Sequence, residues 1–399
     1  MWIFYSLFLN TVFVLVSSRS EYDRATAFRG KSPSLSNALL IVDFTKKVLV
    51  STWIGLKTMD SITSHFHEQV IGKDSGTVLR RFDLQHETRP DTKLTFINEV
   101  VSVLRSETSE SQEVQASIHR VFVECKRLRD QLSRDEWTKC VRQIRESELL
   151  SLVHQDPFTS RAFNKPRGYA GDAVMMDYIY GLEENWQPPK SSFLGQGVFQ
   201  YTTSAAASAG VRARREHIAE KLDEVARYND SPEVMAVASG HLREASMSSA
   251  VRRRKFGRFV ALDADSESLL EVERSFGRFG VQSELADIRK MLTGQMDFGK
   301  FDLIYSTGLY DYLKEKTAQK LSYHLFSMLK SGGKLVLANF LPTIHDIGYM
   351  EACMDWFLVY RDRMDMMGLT ELIDQADMRD IQVSVEENQN IVFLEVTRA

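Results

Sequence analysis

The residues equipped for chemistry begin with PEVMAVASGHLREA at 232–245. An apolar run, 234–238, breaks at Ser239-Gly240 and leads into a segment able to start a helix. That is how a strand hands over to a phosphate- or nucleotide-facing turn in a doubly wound α/β domain. About twenty residues on, the run 259–262 ends at Asp263, and an acid there can accept hydrogen bonds from both hydroxyls of a ribose. The turn holds a single glycine, Gly240, followed by His241, so it lacks the G-x-G-x-x-G that lets backbone approach a pyrophosphate. A cofactor without phosphates tolerates that better. S-adenosylmethionine (SAM) has a ribose, an adenine and an amino-acid tail, and no pyrophosphate. Taken alone, one glycine is equally compatible with a purely structural turn.

The elements that must position these groups follow in order. The run 281–285 leads to Ala286-Asp287-Ile288, a third strand end whose acid suits an exocyclic adenine amine. A buried strand over 301–306 ends at Ser306, before Thr307-Gly308-Leu309-Tyr310-Asp311-Tyr312. The pattern predicts a helix over 317–329, stopped by Lys330-Ser331-Gly332-Gly333. A strand over 334–339 then brings Asn339 to the substrate side. Runs 381–385 and 391–396, joined by a polar turn, read as an antiparallel hairpin. Five βα units and a hairpin predict the Rossmann-like, seven-stranded α/β sheet of class I SAM-dependent methyltransferases, parallel apart from its last strand. The expected cofactor contacts are Ser239, Gly240, Asp263, Asp287, Ile288 and Ser306.

From Ser20 onward the chain reads as helical, with apolar residues spaced at three and four over 96–105 and 114–132. Ser133 with Asp135 and Glu136 looks like an N-cap and acidic first turn. This gives three parts: an apolar segment 1–19, a helical cap region 20–195, and a SAM-binding domain 196–399. The cap ends in Lys165-Pro166-Arg167-Gly168-Tyr169-Ala170-Gly171-Asp172, where Asp172 can cap a helix over 173–180. Two glycines around Tyr169 exceed what a cap requires, and Arg167 offers a planar fork for a carboxylate. The loop is expected to lie over the cofactor site as a lid.

Composition narrows the class. The chain has 399 residues, 43% of them apolar, and a net charge of −4, which gives no basic footprint for nucleic acid. Arg252-Arg253-Arg254-Lys255 reads as a solvated helix end. Three cysteines without metal-ligand spacing indicate a reducing cytosol, and no metal site is expected. Residues 1–18 are strongly apolar, with no basic residue before Arg19. An uncleaved membrane anchor, a signal peptide and a start codon set too far upstream compete there; the last, or a segment packed on the domain, suits an otherwise cytoplasmic chain. A homodimer is left open.

Four stretches carry a resemblance: KPRGYAGDAVMMDYIYG, FDLIYSTGLYDYL, LVLANF and MDWFLVYR. Together they resemble the bacterial methyltransferases assigned to making 3-hydroxypalmitic acid methyl ester, the "extracellular factor" signal. The resemblance runs from about Asp156 to the C-terminus, and more loosely over the preceding helices. It implies a SAM-dependent fold and a fatty-acid carboxyl substrate. Relatives are richer in glycine where this chain has Ala238-Ser239-Gly240-His241.

Methyl transfer from a sulfonium is an in-line displacement, so alignment dominates. A carboxylate ionises near pH 4 and needs no general base; a phenol or hydroxyl does. No histidine follows the fourth strand, where Tyr310, Asp311 and Tyr312 stand instead. Tyr312, Asp311 and Tyr169 are therefore the candidate catalytic residues, against a packing role for the tyrosines and a helix-start role for the acid. Trp356 and Tyr360 would share a helical face flanked by Arg361. Arg361, Tyr360 and Asn339 are the candidate substrate contacts, and Met364, Met366 and Met367 suit core filling better than a pocket. The expected activity is methylation of the carboxylate of a small hydrophobic acid. The alternatives are O- or N-methylation of another small metabolite, and a non-catalytic binding protein with a degenerate SAM site.

Overall fold

The computed structural model describes residues 94–106, 110–181, 187–292 and 298–399. The segment 1–19 and the helical reading of 20–93 lie outside the described residues. Among the described residues eight helices precede the sheet: α1 (Thr95–Leu104), α2 (Ser111–Gln131), α3 (Arg134–Glu146), α4 (Glu148–Val153), α5 (Pro157–Asn164), α6 (Ala173–Tyr180), α7 (Phe193–Ser204) and α8 (Ala206–Tyr228). Their starts are set locally. Ser133 and Glu136 form a reciprocal capping box on α3. Asp156 caps α5, with Pro157 in its first turn, and Asp172 caps α6 through the Met175 amide.

The second half alternates: β1 (Glu233–Val237), α9 (Ser249–Arg252), β2 (Arg258–Asp263), α10 (Ser266–Phe276), β3 (Val281–Leu285), α11 (Ile288–Leu292), β4 (Phe301–Ser306), α12 (Glu315–Ser327), β5 (Leu329–Phe340), α13 (Ile347–Cys353), α14 (Arg363–Gly368), β6 (Met378–Val385) and β7 (Ile391–Arg398). The strands form one seven-stranded sheet in the order β3-β2-β1-β4-β5-β7-β6. Only β7 runs against its neighbours. This is the Rossmann-like sheet the sequence predicts.

Val234 to Val237 are buried on both sides, as a central parallel strand covered by helices must be. Side chains alternate between two cores. Met235, Val237 and Ile304 pack with Leu321 and Leu325 of α12; Val234, Ala236 and Leu303 pack with Ile218 and Leu222 of α8 and Val272 of α10. A third core joins α1–α7 to α13, which approaches α2 so closely that a Cβ on Gly348 would sit 2.4 Å from the Cys125 carbonyl carbon.

Four sequence expectations are corrected. The helix predicted over 317–329 is shifted toward its N-terminus, and Gly332-Gly333 lie inside β5, not at a helix stop. A Cβ on Gly333 would stand 2.8 Å from the Phe301 carbonyl oxygen, so glycine serves the irregular pairing of β4 with β5. The turn after β1 enters only a 3-10 turn at Arg243–Ser246 rather than a full helix. Residues 355–362 form no regular element, so Trp356 and Tyr360 share no helical face. Of the three methionines only Met366 fills core; Met364 and Met367 are exposed. Among the described residues, no helix is long and apolar enough to cross a membrane, and the three cysteines are buried free thiols.

Candidate functional site

Strand order reverses between β1 and β4, and open α/β sheets bind ligands at that point, beyond the carboxyl ends of the strands. A cleft of about 820 Å³ opens there, lined by residues 237–244, 262–267, 286–289 and parts of 305–312, and roofed by the loop before α6.

At the β1 end, the chain turns through left-handed backbone at Ala238 (φ 54°), Gly240 (φ 53°) and Leu242 (φ 54°). Gly240 also stands close to α6, where a Cβ would meet that of Ala173 at 3.3 Å. Asp263 closes the turn. Its Oδ2 accepts from the Gly240 amide at 2.7 Å and its Oδ1 from the Asp265 amide at 2.9 Å. Burial pushes its carboxyl up from the ordinary range, against these amide donors. The far side of the turn is pinned to α6. Asp177 accepts from Arg243 Nε and Nη2 at 2.8 and 2.7 Å and pairs with His241 Nδ1 at 2.8 Å. Asp287 accepts from the Arg289 amide at 2.6 Å, and both Asp287 and Ile288 line the cleft. Ser239 lines it as well.

The loop 165–172 forms the roof. Arg167 donates to Asp265 at 2.9 Å, to Glu267 at 3.0 Å and to the Ser268 hydroxyl at 3.1 Å, so its fork serves as a latch rather than a free carboxylate receptor. Tyr169 meets Tyr312 edge to face, with ring centres 6.1 Å apart. Trp356 Nε1 donates to the Tyr312 oxygen at 2.9 Å, which leaves the Tyr312 proton to be donated. Gly171 is required by this cluster: a Cβ would stand 2.6 Å from the Tyr312 hydroxyl and 2.8 Å from the Trp356 ring. Desolvation by the wall, with nearby carboxylates, raises both phenols, so they stay protonated. Asp311, 2% exposed, accepts from the Phe340 amide at 2.8 Å, and burial pushes its carboxyl up to about 6.

Four predicted site residues fall elsewhere. Ser306 is fully buried and donates to the Val237 carbonyl at 2.9 Å, stitching β4 to β1. Arg361 is 1% exposed and all five of its N–H groups are engaged, by the Tyr310 and Leu313 carbonyls, Asn339 Oδ1 and Glu315. Asn339, also buried, donates to the Phe340 and Val359 carbonyls. Tyr360 packs on the helical core, its ring 5.9 Å beneath the Arg129 guanidinium. Arg361 and Asn339 fix the segment after α13 to β5 and the turn at Tyr310–Tyr312; neither they nor Tyr360 lines the cleft.

Sequence reasoning passed over Arg214, Glu244 and Tyr305, which do line it. A signal was present for Arg214: it stands on the buried stripe Ala207, Val211, Ile218, Leu222 of α8, where a charge is out of place.

An acid at the end of β2, an open turn at β1 and an acid after β3 surround the cleft at positions that fit a nucleoside-bearing ligand without a pyrophosphate. No family model matches the chain, and no curated protein matches it. Among solved structures, a possible exported protein from Bordetella parapertussis is similar at 16% identity and TM-score 0.48, over 73% of this chain and 99% of that one. Magnesium protoporphyrin IX methyltransferase from Synechocystis PCC 6803, with bound SAH, is similar at 14% identity and TM-score 0.39, over 57% of this chain and 96% of that one. N-methyltransferase NodS from Bradyrhizobium japonicum WM9 is similar at 14% identity and TM-score 0.33, over 47% and 97%.

Proposed function

We propose that the chain is a SAM-dependent methyltransferase whose acceptor is the carboxylate of a small hydrophobic acid, a hydroxy fatty acid being the type specimen. One observation supports it above the others. A single cleft at the switch point joins the ribose acid Asp263 and the Gly240 turn to an aromatic chamber of Tyr169, Tyr312 and Trp356. When bound, SAM supplies an electrophilic methyl group. Asp263 would hold the ribose hydroxyls and Asp287 the adenine amine. Two phenols that remain protonated, Tyr169 and Tyr312, would donate hydrogen bonds to the acceptor carboxylate and orient one oxygen toward the methyl. The aromatic and apolar wall strips water from the anion. No base is required, since the acceptor arrives ionised.

A second reading is favoured by Asp311. A carboxylate in the wall with a proton affinity near 6 suits a general base, which an alcohol or phenol acceptor would need. Incubating the protein with methyl-labelled SAM and a panel of hydroxylated fatty acids, phenols and amines separates the two. Label recovered as base-labile methyl ester supports the carboxylate reading. Label in ethers or methylamines overturns it in favour of the second. SAM binding without transfer to any member leaves a cofactor-binding protein.

A further inference from the structure

Empty space continues behind the inner wall of the cleft. Val211 of α8, Phe340 at the end of β5 and Trp356 after α13 line the cleft, and the same three line a second cavity of about 20 Å³ within the helical core. All three are buried. They form a partition, with the aromatic chamber on one side and a void on the other.

The void suits hydrocarbon. Phe122, Phe158, Ile179, Met350 and Met354 supply its apolar wall. Its polar neighbours are already engaged within the protein. Thr202 donates to Asp156 at 3.1 Å, and Ser208 donates to the Thr202 carbonyl at 2.9 Å. Asp346 accepts from the Ala207 amide at 2.6 Å, and the Tyr349 and Thr159 hydroxyls bond at 3.0 Å. A cavity without free polar partners holds water poorly, and one of about 20 Å³ has room for a single methyl-sized group.

On the cleft side, polarity falls toward the partition. Tyr312 is 37% exposed, and Trp356 donates its one side-chain N–H to the Tyr312 hydroxyl. The Asp311 carboxyl beside Phe340 has its Oδ1 held by the Phe340 amide. The side chains of Phe340 and Val211 offer only carbon. We infer that Val211, Phe340 and Trp356 are the stop that sets acceptor length. An acid whose carboxylate lies on Tyr169 and Tyr312 runs its apolar tail inward to this partition and no farther. Resting on the carboxylate reading above, this narrows the acceptor to short-tailed hydroxy acids. Val211 is the adjustable member. Trp356 is tied to Tyr312 and packed against Gly171, and Phe340 closes β5, whereas the Val211 side chain contributes two methyl groups and no hydrogen bond.

The test measures kcat/KM with SAM for straight-chain hydroxy acids of increasing length, in the full chain and in three variants. Melting temperature reports folding, and calorimetry with S-adenosylhomocysteine (SAH) reports the cofactor end of the cleft. In the unaltered chain kcat/KM is expected to rise to an optimum length and fall steeply beyond it. Val211→Ala joins the void to the cleft. It is expected to move the optimum longer by about one or two carbons, and to raise the next longer acids about 4- to 15-fold relative to the old optimum. Phe340→Leu opens the same partition from another element and is expected to shift the optimum in the same sense, so one misfolded variant does not decide the matter. Ala207 lines the void but not the cleft, one helical turn from Val211. Adding Ala207→Val to Val211→Ala keeps the total volume, refills the void and is expected to restore the original optimum. A profile with no fall beyond an optimum in the unaltered chain overturns the inference. So does an optimum unmoved in folded Val211→Ala and Phe340→Leu, or one that Ala207→Val does not restore. If the unaltered chain methylates alcohols, phenols or amines and no acid, the carboxylate reading falls first and the inference with it; if it methylates acids and only the variants disobey, the inference alone falls.

Discussion

Asp263 holds the Gly240 amide with one carboxylate oxygen and lines the cleft. Replacing it with Ala should weaken SAH binding by about 1.5–3 kcal/mol, measured by calorimetry. Unchanged affinity would remove it from ribose recognition. Arg361 makes the opposite case. Its chemistry looks right for a carboxylate receptor in the sequence, yet its surroundings use all five donors. Arg361→Ala leaves two backbone carbonyls and Asn339 Oδ1 without that partner, and is expected to cost about 3 kcal/mol or more of stability in urea unfolding. A raised acceptor KM at unaltered stability would return it to substrate binding. Residue type was legible in the sequence at both positions. Which atoms are already satisfied was not, because that depends on strands and turns remote in the chain.

Among the elements, the roof loop meets the site by close contact at one small residue, besides the Arg167 latch. Gly171→Ala places a methyl group against the Tyr312 hydroxyl and the Trp356 ring. Overpacking of this kind costs about 1–3 kcal/mol, so a lower melting temperature and slower methyl transfer are expected together. Wild-type melting with wild-type turnover would show that the cluster adapts without loss. The strands, the closing hairpin, the Ser133 N-cap and the Asp172 cap were all legible, because each is written in local periodicity or in a short-range side-chain bond. The double glycine at 332–333 was misread, since a bulge and a helix stop demand the same residue. The irregular segment 355–362 was misread as a helix for a related reason: its aromatic spacing is satisfied by the sides of the cleft and the helical core, not by one helix face.

Taken as a whole molecule, the protein should answer to pH in two directions. Burial raises Asp156 and Asp311 to about 6. A carboxyl whose folded value lies above its unfolded one favours the native state while protonated, so that contribution is complete below about pH 4 and is lost as pH rises through 6. Glu395 runs the other way. Burial opposes its charge, but His217 and Lys221 hold it down to about 2, so its contribution is present above the ordinary glutamate value and lost as pH falls toward 2. Urea midpoints between pH 4 and 7 should therefore fall less steeply in Asp311→Asn than in the unaltered chain; identical slopes would clear Asp311 as a source. The Arg167 latch has a different kind of consequence. It ties the roof to Asp265 and to Glu267, whose side chain is 71% exposed, so bulk ions reach that end of it. If release of the spent cofactor limits the cycle, turnover at saturating substrate should quicken as ionic strength rises, even as the ligand is held less tightly: the enzyme would trade grip for tempo in salt.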